Sequence, residues 1–311
     1  MDIMLPVNTI APLVLMVSLG YLLRKTNLLD AHTRLSMNTV VFRFLIPAML
    51  FNNLYKSDLS GLSVATAVIY SAIFTVSVYL IMMFVFPLFI KDKTKCSVII
   101  QAIYRGNVVL LGVPIVAGLC GAENVGLLSL VVAVVVPIQN IESVIMFELF
   151  RDGKPKLSTI LLNILKNPLI IASVTGILLK VSGLTLPLII DRFISDLSKI
   201  ATPVSLLILG AFLNFKVIGS HVKLLILGIV GRLIIFPALF LSGAILLGFK
   251  GVELVSMMAL STMPAAVSTF TMAEQMGGDP DLASSLVIFG TTVSAFTIMG
   301  WIYLLQGLNL F

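Results

Sequence analysis

Arg105 to Gly121 reads Arg-Gly-Asn-Val-Val-Leu-Leu-Gly-Val-Pro-Ile-Val-Ala-Gly-Leu-Cys-Gly, a stretch apolar enough for lipid that nevertheless interrupts its own helix. Pro114 has no N–H to give the carbonyl of Leu110, its ring crowds that carbonyl, and Gly112 loosens the backbone beside it. Backbone groups freed inside a bilayer cost several kcal/mol each, so such a break persists only where protein or a wet cavity covers it. The stretch therefore marks a binding site inside a membrane helix.

Around it, hydrophobic residues make up 59% and charged residues 11% of the 311 positions, with a mean hydropathy of +1.13. That balance excludes an ordinary water-soluble domain. The expected class is an all-α polytopic membrane protein. At roughly 20 residues per span, the apolar runs predict ten helices: 5–23, 35–54, 64–90, 97–120, 125–148, 158–181, 195–214, 222–248, 252–275 and 283–306.

The net charge of +6 does not point to nucleic acid, because Lys and Arg are scattered singly through short loops instead of gathering into a basic face. Loops after odd-numbered spans hold eleven basic residues: Arg24, Lys25, Arg34, Lys91, Lys93, Lys95, Arg151, Lys154, Lys156, Lys216 and Lys223. The other side holds five: Lys56, Lys180, Arg192, Lys199 and Lys250. By the positive-inside rule both termini face outward, and the expected location is the plasma membrane. Asp2 is the one charge ahead of the first span and no small-residue cleavage signal ends it, so a retained helix is expected, not a signal peptide. Cys96 and Cys120 read as free thiols, with no metal or disulfide framework.

The second half repeats the first. Pro12, Gly20 and Pro47 match Pro168, Gly176 and Pro203 at a separation of 156, and Pro87 and Pro114 match Pro237 and Pro264 at 150. Five pairs in order with one six-residue adjustment divide the chain into units 1–153 and 154–311. Five spans per unit turn the second upside down relative to the first, the inverted-repeat plan of secondary transporters.

The partner of the opening stretch is Ser261 to Gly278, where Pro264 frees the carbonyl of Leu260. Its hydroxyls, Thr262, Ser268, Thr269 and Thr271, either rebond freed backbone groups or line a polar cavity. Two broken helices related by a pseudo-twofold in the membrane plane should meet near the bilayer centre. Each second half-helix then begins with unpaired N–H groups and partial positive charge, which predicts a site for a carboxylate or similar anion.

Polar residues inside the spans extend this reading. Asn107, two helical turns before Pro114, shares its face and either hydrogen-bonds substrate or serves as interhelical glue worth about 1 kcal/mol or less. Gln139 and Asn140 are side-wall donors beside Pro137. Glu142 lies nine residues from Arg151, about 13 Å of helical rise, and an acid that deep is a functional candidate. It binds a cation, carries a proton, or pairs with Arg105 or Arg232; the three alternatives stay open. Arg105 either attracts an anion or snorkels to the cytoplasmic surface. Arg43 and Lys199 each precede a matched proline by four residues and suggest only pairing.

No enzyme motif emerges: there is no His-Glu-x-x-His, Gly-x-Ser-x-Gly or phosphate loop, and His32 and His221 fall in predicted cytoplasmic loops. Gly277-Gly278-Asp279-Pro280 reads as a turn followed by a helix start. A channel ranks below a carrier, since channels use rings or repeated filter loops instead of two inverted broken helices.

Asn107 to Val116, Asn-Val-Val-Leu-Leu-Gly-Val-Pro-Ile-Val, resembles the fourth-span motif of the auxin efflux carrier family. Ala273 to Gly290 is similar to that family's ninth-to-tenth span junction, and the Asn-Pro-Leu-Ile beginning at Asn167 and the segment Pro203 to Gly210 are similar to it as well. The resemblance covers essentially the whole chain. It implies two inverted five-span repeats, a scaffold of helices 1, 2, 6 and 7, and a transport part of helices 3–5 and 8–10 with crossed helices 4 and 9. It further implies elevator-type alternating access, homodimers, and small organic anions such as auxin or malate as cargo. The family's substrate-contacting asparagine maps onto Asn107 and its crossover prolines onto Pro114 and Pro264.

Two features depart from the plant carriers. Only about Arg151 to Pro155 separates the repeats, so phosphorylation control of the plant type is not implied, and Glu142 counts against auxin itself. Glu274 and Gln275 are adjacent, unlike the Glu-x-x-x-Gln of the sodium-using bile-acid symporters, so sodium coupling has no support here, although sodium or proton coupling stays open. The expected substrate set is Asn107, Gly112, Pro114, Gln139, Asn140, Thr262, Pro264 and Ser268, with Glu142 and Arg105 for coupling or charge. No catalytic residue, metal or cofactor is expected. The expected partners are an organic anion, the lipid bilayer and a second copy of the chain; an ion-coupled symporter and an anion channel are the alternatives.

Overall fold

The computed structural model describes residues 5–56, 65–151 and 157–311. The expected unit boundary at 153/154, together with Asp2, Lys154 and Lys156, lies outside the described residues. Those residues form thirteen helices and no strand beyond one isolated bridge. In chain order these are α1 (Leu5–Lys25), α2 (Ala31–Tyr55), α3 (Ala65–Phe89), α4 (Lys93–Tyr104), α5 (Val108–Cys120), α6 (Gly126–Phe150), α7 (Leu157–Lys166), α8 (Pro168–Ser182), α9 (Leu188–Phe212), α10 (215–246), α11 (Gly251–Thr262), α12 (Ser268–Met276) and α13 (Pro280–Gly307). Seven of them, α1, α2, α3, α6, α9, α10 and α13, are long and apolar enough to cross a membrane, and α5, α8 and α11 are shorter apolar helices. The chain is a polytopic membrane protein.

Helix starts follow the local sequence. Asp30, Asp92, Asn167 and Asp279 each accept from a backbone N–H of the first turn that follows, and a proline occupies the first position after Asn167 and Asp279. Hydrogen bonds from Thr33 and Thr94 hold the Asp30 and Asp92 carboxyls below the usual carboxylate range. His221, expected in a loop, lies inside α10 and is buried, with Nε2 3.6 Å from Asp279. His32 likewise belongs to α2, near its start, and is exposed.

Prolines inside the spans do not break them. Pro47, Pro114 and Pro237 each follow a five-residue π-type turn, in which Ile46, Val113 and Phe236 donate back to Val41, Val108 and Gly231. The widened turn gives the ring room that an α-turn denies it. The break expected at Pro114 is therefore a continuous helix, and the interruption lies at Arg105–Asn107, between α4 and α5. The break at Pro264 lies where expected, between α11 and α12.

Two glycine contacts show how the helices pack. A β-carbon at Gly20 of α1 would fall on the Leu207 carbonyl of α9, and one at Gly210 of α9 would fall on the Val17 carbonyl of α1. The backbones touch, which glycine alone permits. Gly176 of α8 faces the Phe51 carbonyl of α2 less closely, a β-carbon there lying 3.1 Å from it. Leu207 lies 156 positions beyond Phe51, the separation that relates Gly176 to Gly20. α1 thus rests on α9 and α2 on α8, while α3 packs on α6 and α10 on α11 and α13.

Candidate functional site

The two interruptions touch. Gly106 and Ala265 form an antiparallel bridge, with Asn107 N–H donating to Pro264 O at 2.8 Å and Ala266 N–H to Arg105 O at 3.2 Å. α4 and α11 end at this crossing, leaving terminal carbonyls without intrahelical partners. Arg232, within the π-turn of α10, supplies the missing donors. Its Nε reaches Met263 O at 2.6 Å, Nη1 reaches Ile103 O at 3.0 Å and Tyr104 O at 3.3 Å, and Nη2 reaches Leu260 O at 3.3 Å. Leu260 O is the carbonyl that Pro264 frees. Gly106 has to be glycine here, because a β-carbon would occupy the Arg232 guanidinium. Arg232 is 2% exposed and has no acid partner among the described residues. Its charge answers the negative ends of two helices.

Arg105 does not snorkel. It is 4% exposed and donates to Asn140 Oδ1, to Ser143 Oγ at 3.5 Å and to Met272 Sδ at 2.8 Å. Its position in the break, where the chain turns inward to pair with Ala266, keeps the side chain from reaching a surface. Gln139 Nε2 donates to Tyr104 O at 3.1 Å, and the Tyr104 hydroxyl lies 2.6 Å from Ser143 Oγ.

Beside the crossing opens a cavity of about 380 Å³. Arg105, Gly106, Asn107, Gln139, Ala266 and Ser268 line it from the junction and from α6, Asn52, Asn53 and Lys56 from the end of α2, and Ser129 and apolar residues such as Leu50, Val109, Val132 and Val136 complete the lining. Among the described lining residues are two cations and no acid. The Asn107 amide side chain and the Ser268 hydroxyl make no hydrogen bond to a described residue, and each stands at the head of a helix; in α12 the Thr269 and Phe270 N–H groups are already taken by Ala266 O and Val267 O, at 2.9 and 3.2 Å.

Asn107, Gln139, Ser268 and Arg105 of the expected set thus meet at one cavity. The others are elsewhere. Gly112 is a packing glycine, its missing β-carbon leaving room for Val108 and for Ala259 of α11. Pro114 is exposed on α5, Thr262 bonds back to Met258 O at 2.9 Å, and Pro264 is buried with its carbonyl taken by Asn107. Asn140 holds Arg105 from behind the wall. Glu142 is 6% exposed, outside the cavity lining, and both of its carboxylate oxygens lack a hydrogen-bond partner. It is not within ion-pair distance of Arg105 or Arg232, which removes the static-pair alternative. Asn52, Asn53, Lys56 and Ser129 were not anticipated; the Asn-Asn-x-x-Lys at the end of an apolar run was the available signal.

Residues 6–302 match a protein-family model described as membrane transport protein. The chain belongs to this family, that of the PIN-like auxin efflux carriers. The transporter is 27% identical to an uncharacterized transporter of Methanothermobacter thermautotrophicus over 94% of its own length and 96% of that protein. It is 29% identical to a probable auxin efflux carrier component of rice over 46% of its length and 41% of the carrier's. A putative malonate transporter of Rhizobium meliloti is 22% identical over 87% of the transporter and 86% of its relative.

Proposed function

We propose that the transporter is a secondary carrier of a small organic anion, held in the cavity beside the crossing of α4/α5 with α11/α12. The observation that carries this reading is the charge of the cavity: Arg105 and Lys56 line it, the N-terminal ends of α5 and α12 border it, and no described lining residue is acidic. Asn107 and Ser268 supply the free hydrogen-bonding groups and Gln139 the side wall. That relatives bear the names auxin efflux carrier and malonate transporter, both for carboxylates, agrees with it.

The architecture proposed is ten crossings in two inverted repeats, with α4/α5, α7/α8 and α11/α12 each counted as one interrupted span. The matching contacts of Gly20 with Leu207 and of Gly176 with Phe51 support an internal twofold, since exchanging the halves carries one contact onto the other. In this reading α1, α2, α8 and α9 form the scaffold, and the crossing moves against it to alternate access.

Uptake into proteoliposomes of a panel of labelled organic acids tests the function. Saturable uptake with counterflow is expected, and Asn107→Ala should lower the uptake efficiency at least 10-fold, as for a lost hydrogen bond to a charged cargo group. Unsaturable single-channel currents, or an Asn107→Ala variant that transports normally, would overturn the proposal.

One observation favours ion coupling as a second reading. Glu142 buries two unpartnered carboxylate oxygens in the electrostatic neighbourhood of Tyr79 and Tyr104, and an acid in that position needs a proton or a cation. Glu142→Gln should abolish the dependence of uptake on a proton or sodium gradient while preserving counterflow. Gradient dependence that survives the substitution removes Glu142 from coupling.

A further inference from the structure

We propose that Lys56 reads a second negative charge on the cargo, with Asp191 as its resting counter-ion, so that the carrier prefers an organic dianion to a matched monoanion. This rests on the cavity being the cargo site and deepens that reading. Lys56 closes the α2 helix and reaches the cavity from a wall other than the crossing. Its Nζ lies 3.0 and 3.3 Å from the two carboxylate oxygens of Asp191 on α9. The two side chains are 42% and 30% exposed, and an ion pair that wet contributes between about 0 and 1 kcal/mol. A carboxylate arriving from the cavity therefore displaces or joins Asp191 at little cost, since an ammonium group has three donors to share.

The rest of the cavity fits a cargo charged at both ends. Positive potential gathers at the crossing, from Arg105 and the two helix starts, and again at Lys56, where Asn52 and Asn53 add amides. The Asn52 Nδ2 donates to Ser198 Oγ at only 3.5 Å, a weak bond that a cargo carboxylate can replace. Most of the remaining lining is aliphatic, suited to a short hydrocarbon linker and unsuited to a lone carboxylate floating free.

The competing account makes Lys56–Asp191 a strut that ties α2 to α9. Opposed variants separate the two, because removing either partner breaks a strut equally, whereas only one of them removes the reading group. Uptake of succinate and of monomethyl succinate is measured at pH 7.5 for the full chain in liposomes, and the ratio of their KM values is the readout. Lys56→Gln should raise the succinate-to-ester KM ratio at least 10-fold, and Lys56→Arg should restore it. Asp191→Asn should lower the ratio several-fold by freeing the ammonium.

A ratio that moves the same way in Lys56→Gln and Asp191→Asn, or that moves in neither, overturns the proposal in favour of the strut. Wild-type transport of monocarboxylates with no saturable uptake of succinate or any other three- to six-carbon diacid overturns it and leaves the carrier reading standing. Absence of uptake for every organic anion overturns the carrier reading itself, and this inference with it.

Discussion

The backbone of this transporter is interrupted in two ways, and they are repaired differently. At Pro47, Pro114 and Pro237 the repair is local: one widened turn reroutes the hydrogen bonds and the helix continues. Between α4 and α5, and between α11 and α12, the chain stops being helical and is mended from far away, by the opposing break and by Arg232. A proline thus marks a place where a helix had to adjust. The candidate site lies where the adjustment is not made locally, and a buried cation and a second non-helical stretch complete the bonding.

The sharpest way to break this comparison is Arg232→Met, which leaves the carbonyls of Ile103, Leu260 and Met263 without their side-chain donor, while Tyr104 O keeps Gln139. At about 1–3 kcal/mol for each buried acceptor left unsatisfied, the loss should exceed roughly 3 kcal/mol, read as a collapse of the thermal midpoint in fluorescence-detected size-exclusion chromatography. A variant that melts within a few degrees of wild type would mean that the crossing does not depend on the clasp.

Trp301→Phe probes an intermediate case. The Trp301 indole donates to Leu233 O at 2.9 Å, the carbonyl four residues before Pro237 and hence the one its ring denies a partner. Loss of about 1–2 kcal/mol is expected, with uptake of the cargo retained. The smallest effect should come from Pro114→Ala. Because the π-turn already accommodates the ring, stability should change by less than about 1 kcal/mol and transport should persist. Uptake falling to background in Pro114→Ala would move the functional interruption back to the proline.

The membrane class, the helix starts at Asn167 and Asp279 and the meeting of two interrupted helices were legible in the sequence, because each depends on residues close together in the chain or on a composition that holds throughout. The position of the first interruption was not. Pro114 is a stronger local signal than Arg105-Gly106-Asn107, yet Gly106 yields because Arg232, more than a hundred positions away, occupies the space of its side chain. Asn107 was found for a partly mistaken reason: there is no break at Pro114 whose face it could share, and it stands instead at the N-terminal end of the helix that begins at the true one, with its side chain free of any capping bond. Lys56 and Asn52 were missed since the edge of a span looks like a loop until another helix folds over it. Glu142 was recognised as costly, while its lack of any partner is visible only in three dimensions.

The stitched crossing has a mechanical corollary. Main-chain bonds between Asn107 and Pro264 and between Ala266 and Arg105, gripped by one guanidinium, weld four half-helices into a single block. On the carrier reading proposed above, that block moves as one piece, and entry and release of cargo fall to its seam with α2, whose Asn52, Asn53 and Lys56 also line the cavity.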